Sequence, residues 1–132
     1  MKEFVDKFIE LERKITEQKG SFTLFALFLR ENALNKWDLL VAAPWIEADR
    51  KAALAYLSKQ LQLSMTTEEM LQISRIVIID ETNPTLDIIH RTMQVKHNTL
   101  EITDSDLFGL QIKRAFIISA QTSPLSAEMA AM

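Results

Sequence analysis

"RIVIID", residues 75–80, decides how the chain is read. Ile76, Val77, Ile78 and Ile79 are four β-branched residues in a row. Such side chains suit a pleated strand, and an unbroken apolar run implies cover on both faces. The stretch is therefore expected to be a central strand of a parallel sheet. Asp80 and Glu81 close it, and Asn83–Pro84 then opens a helix. Asparagine caps the free N–H groups, and proline fits the first helical position. Leu86, Ile89 and Met93 make the inner face of that helix, with Asp87 and Arg91 an i,i+4 pair on its outer face.

"WDLLVAA", 37–43, repeats the arrangement. An apolar strand meets Pro44, which cannot donate to a ladder, and an acidic loop follows. Ala53, Leu54, Leu57 and Leu61 then mark a helix face. "TTEE", 66–69, is a capping box expected to open a second short helix reaching Ile73. Two strands joined by helices make a right-handed parallel crossover.

Outward from this unit, Phe4, Phe8, Leu11 and Ile15 recur at helical spacing, which predicts a helix over 2–18 ended by Gly20. "FTLFALFL", 22–29, is read as a buried strand, although its periodicity also fits a short buried helix. On the other side, "TLEIT", 99–103, alternates. "TDSD" reads as a turn, and "FGLQIKRAFIIS", 108–119, as an antiparallel return strand. The expectation is an α/β (α+β) fold. A mixed sheet of about five strands carries packed helices, in the order α-β-β-α-α-β-α-β-β. Residues 1–122 form one globular domain, followed by a tail, 123–132, that is frayed or docked.

Composition narrows the function classes. The 132 residues carry a net charge of −3, spread along the chain, so no basic footprint points to nucleic acid. With no cysteine there is no disulfide, thiolate nucleophile or cysteine zinc site. No apolar run approaches the length of a membrane span or signal segment, so the expected setting is cytoplasmic.

Parallel strands at 37–43 and 75–80 would bring their C-terminal ends to one edge, where open α/β sheets bind ligands. That edge would gather Glu47 and Asp49 with Asp80 and Glu81, a carboxylate set suited to Mg²⁺ and a phosphate-bearing substrate. The same acids also suit helix first turns with no ligand at all. Neither loop holds a glycine to let a phosphate approach the backbone.

Other candidates carry a structural and a functional reading. Trp37 and Trp45 bracket the strand and suit packing or a partner contact. His90 borders an apolar helix face. Arg114 interrupts the even-numbered apolar row Phe108, Leu110, Ile112, Phe116 and Ile118. It therefore marks a bulge or, with Lys113 and His97, a small anion contact. In the tail, Leu125, Met129 and Met132 form a one-sided stripe that could dock on a partner.

"NKWDLLVAA" is similar to the acidic strand of small nucleotidyltransferases. That family requires an upstream Gly-Ser turn and a second adjacent carboxylate, and neither stands near Asp38. Dinucleotide, P-loop, serine-hydrolase and zinc-protease motifs are missing as well. The leading expectation is thus a non-enzymatic binding or accessory protein without a cofactor, working through a protein partner or self-association, with a homodimer in view. The alternative is a small divalent-metal enzyme at the acidic edge.

Overall fold

A computed structural model describes residues 2–32, 35–93, 95 and 98–122. The elements are α1 (Lys2–Lys19), β1 (Leu24–Arg30), β2 (Trp37–Ala42), α2 (Pro44–Ala48), α3 (Arg50–Ser64), α4 (Thr67–Leu71), β3 (Ile73–Ile78), α5 (Pro84–Thr92), β4 (Leu100–Leu107) and β5 (Leu110–Ser119). The strands form a five-stranded mixed sheet in the order β3-β2-β1-β5-β4. Only β2 and β3 run parallel; every other neighbour is antiparallel.

The expected mixed sheet and nearly all the expected elements are present. The ambiguous stretch 22–29 is strand from Leu24 on, because β1 is the middle of the sheet and is buried along almost its whole length. α2 is an additional helix. Pro44 occupies its first turn, so the residue that ends β2 also starts a helix too short to show a period. The capping box at Thr66 and Glu69 forms as expected, but α4 stops at Leu71 and Ile73 already belongs to β3. Leu54 is a correction to the α3 face. Ala53, Leu57 and Leu61 are buried, whereas Leu54 is 41% exposed.

Two further corrections concern strands. "TDSD" is not a turn but the second half of β4, kinked at Asp104 with φ 48°. The reversal is Phe108–Gly109, with φ 54° and 73°, the pair of positive values a two-residue type I′ hairpin requires. The larger correction is that "RIVIID" is not central. Among the described residues β3 is an edge strand paired only with β2, and Ile76, Val77 and Ile78 are half-buried. Apolar side chains on both faces report the layers above and below a strand and are silent about its lateral neighbours.

Each sheet face carries a core. On the first face α1, α2 and α3 bury Phe8, Ile15, Phe25, Leu27, Leu39, Ile46 and Leu57. On the second face α5 lays Leu86 and Ile89 over Leu24, Ala26, Phe28, Leu40 and Ala42. β3 feeds both, with Ile76 and Ile78 against the first core and Val77 against the second. In β5 the apolar row switches sides: Ile112 belongs to the second core, Phe116 and Ile118 to the first. Leu29 pairs with Arg114 and Arg30 with Ile112, so Lys113 is the extra residue of a bulge.

Candidate functional site

The parallel pairing of β2 and β3 does bring the two acidic segments to one rim. There Arg50 takes the position between them. Its Nη2 lies 2.8 and 3.0 Å from the Glu47 carboxylate oxygens and 3.5 Å from Asp80 Oδ2. Asp80 also accepts from the Thr82 hydroxyl at 2.6 Å and the Thr82 N–H at 2.9 Å. These Thr82 bonds, helped by Arg50, hold its carboxyl below the usual aspartate range. Glu81 behaves oppositely. Partial burial raises its pKa, as do the charges of Glu47 and Asp80, against a Thr23 hydroxyl bond of 3.2 Å and the His90 ring. Asp49 takes no part, because its Oδ1 caps α3 by accepting from the Ala52 N–H at 3.1 Å. Glu47 and Asp80 therefore share an arginine, and Glu81 lies close enough to feel both their charges. Among the described residues no cluster of three or more potential ligands is arranged to hold a metal ion.

His90 Nε2 lies 2.7 Å from the Thr23 carbonyl oxygen, tying α5 to the start of β1. Arg114 donates from Nε to Glu101 Oε2 at 2.5 Å, and its guanidinium lies 4.7 Å from the Phe116 ring centroid. A neighbouring acid and an aromatic face thus account for the charge in that row. Lys113 is exposed at the bulge, and His97 lies outside the described residues. Trp37 is 2% exposed, with its ring 5.6 Å from that of Phe116; it is a core residue and not a surface one. Trp45 is partly buried, edge-on to Tyr56 at 6.0 Å and to Phe22 at 5.6 Å. Leu125, Met129 and Met132 lie outside the described residues.

Two features lie outside the sites the sequence led one to expect. One is Asp38, fully buried on the second face. Its Oδ2 accepts from Arg30 Nε at 2.7 Å and Arg75 Nη2 at 3.3 Å. Arg75 is the Cα partner of Asp38 in the β2–β3 pair, so the charged row crosses β1, β2 and β3 and ties the edge strand to the sheet. An aspartate inside "WDLLVAA" was the available signal; which cations met it depended on pairing.

The other feature is the outer edge of β3. The Ile79 N–H donates to the Val41 carbonyl. Alternation then turns Arg75 and Val77 toward β2, and leaves the N–H and C=O of Ile76 and Ile78 facing outward. Beside this edge runs a groove of ≈ 360 Å³ lined by Leu54, Leu61, Met70, Ile73, Arg75 and Ile76, among others. Leu71, 67% exposed, stands just before the strand. The opposite edge, β4, is different. It exposes Glu101, Asp104 and Asp106 along an eight-residue strand.

The molecule is therefore an α+β domain on a five-stranded mixed sheet, with one acidic edge and one apolar edge. No protein-family model matches the chain, and no curated protein or solved structure matches it. Among the described residues no helix is long and apolar enough to cross a membrane.

Proposed function

We propose that this chain is a non-enzymatic binding protein, acting in a cytoplasmic setting, that engages a protein partner by accepting an extended segment along β3. The observation that carries this reading is the outward-facing backbone of Ile76 and Ile78 beside an apolar groove. Unpaired edges of β-branched residues are templates for another strand, and proteins normally blunt them with lysine, proline, bulges or inward charge. β3 carries no lysine or proline, and its one irregularity lies between Ile73 and Arg75, before the outward-facing Ile76 and Ile78.

Magnitudes favour a combined contact. Backbone bonds to two residues contribute about 0.5–1.5 kcal/mol each, too little to hold a partner against the cost of association. The groove supplies what is missing, since burying one large apolar side chain there adds about 1.5–3 kcal/mol. Main-chain pairing with flanking side-chain pockets is how strand-addition modules work. The acidic rim has no comparable support, because Arg50, Thr82 and Thr23 already engage Glu47, Asp80 and Glu81.

The test compares the two edges. Proteins that copurify with the tagged wild type, an untagged copy of the same chain among them, should also copurify with a β4 variant, Asp106→Pro, whose N–H faces outward as that of Ile76 does, and be lost with Ile76→Pro. Equal recovery with all three would refute the reading. Proline at 76 removes an outward donor and no bond to β2, so the native ladder is spared.

A further inference from the structure

Building on the strand-addition reading, we infer that the β3 edge pairs with a second copy of this chain, antiparallel about a two-fold axis beside Val77. An antiparallel pair must set outward residues opposite outward residues. Ile76 and Ile78 are the two that face out, since the ladder to β2 is interrupted between Trp37 and Asp38, opposite Ile73 and Arg75. An axis at Val77 is the register that uses both: Ile76 meets Ile78 of the other copy, and Ile78 meets its Ile76. Shifting the axis to either isoleucine uses that one and strands the other.

The side chains fit this register. On the first face it places isoleucine against isoleucine, a favourable β-branched cross-strand pair. On the second face Val77 meets its own copy, and Arg75 falls opposite Ile79, so no like charges oppose each other. The acidic end of each strand, Asp80, falls opposite Ser74 of the other on the first face, while Arg75 stays on the second face with Asp38, so no charge meets its like. Arg75 is 48% exposed, with only its Nη2 engaged by Asp38 among the described residues. The apolar Leu54, Met70 and Leu71 flank the same end of the strand.

The β4 edge does not offer the same solution. Self-pairing there would bring together two strands that each carry Glu101, Asp104 and Asp106. Joining β3 of one copy to β4 of the next is a head-to-tail contact that leaves an edge open at each end unless many copies close into a ring, and it would set the apolar β3 against the acids of β4. The two-fold β3 pair closes into one continuous ten-stranded sheet, twice the five strands of each copy.

The wild-type chain should show by light scattering a solution mass twice its 15.1 kDa. Ile76→Pro should return it to the single-chain mass. The chain has no cysteine, so a single Val77→Cys gives an unambiguous cross-link. At a non-hydrogen-bonded antiparallel pair the Cα atoms lie about 4.5 Å apart, within disulfide range. Val77→Cys should oxidise to a covalent dimer about tenfold faster than Ile76→Cys, whose partner residue is 78. If Ile76→Pro fails to fold, the cross-linking comparison decides alone. A single-chain wild-type mass at high micromolar concentration overturns the second copy as occupant, and the copurification comparison then judges strand addition separately. A dimer in which Val77→Cys cross-links no faster than Ile76→Cys overturns the register and the edge together.

Discussion

The two edges of the sheet are opposite in character, although both are outer strands of the same five. β4 is eight residues long, wet on most positions, kinked at Asp104 and studded with three acids. It has the features by which natural sheets discourage strand addition. β3 is six residues long, β-branched on both faces and anchored sideways by the Arg30–Asp38–Arg75 row. Its side chains resemble those of an interior strand, and its backbone has no outer neighbour among the described residues. A strand built for cover and placed where it has none is the physical basis for reading this edge as an interface.

The strongest way to break the contrast is to release β3 from β2. Asp38→Ala removes the acceptor shared by Arg30 and Arg75, and leaves Arg30, 23% exposed, without its counter-charge. Breaking such a pair should cost about 3 kcal/mol, the low end for buried pairs because Arg75 reaches solvent. Urea denaturation checks it; a loss below about 1 kcal/mol would mean that the row does not anchor the strand.

A smaller effect sharpens the contrast between edges. Val77→Asp puts a charge on a half-buried position against the second core and should cost about 2 kcal/mol. Thr103→Asp, on exposed β4, should stay within about 0.5 kcal/mol of wild type. Thermal melts of both variants decide this, and equal costs would remove the distinction.

These residues also show how far the chain could be read. Periodicity located α1, the Asn83–Pro84 start of α5 and the capping box of α4, because each is written in local spacing and cap chemistry. The run 76–79 was legible as a strand touching two layers. Its position was not, since lateral order depends on β1 inserting between β2 and β5, a long-range pairing with no local signature. The acidic rim was legible as a place, and Glu47, Asp80 and Glu81 do meet there. Arg50 between them was invisible, because an arginine opening α3 reads equally well as a solvated helix residue. Asp38 stood out, but its partners come from two other strands.

The smallest effect concerns the rim at the end of β3. Glu81 has a raised folded pKa, chiefly through burial, so its charging opposes the fold. That penalty is absent below the ordinary glutamate range and grows as pH rises through the raised folded value. Glu81→Gln should therefore stabilise the protein slightly at neutral pH, by about 0.5 kcal/mol or less given its exposure, and have no effect in acid. A gain that persists at low pH would point to packing and not charge.

The most direct measurement of the central claim is residue-resolved hydrogen exchange on the wild-type protein across a concentration series. The Ile76 and Ile78 amides, which have no partner among the described residues, should become protected as concentration rises. The outward-facing amides of β4 should exchange rapidly at every concentration. If the Ile76 and Ile78 amides exchange as fast as those of β4 throughout, the β3 edge is not an interface between copies.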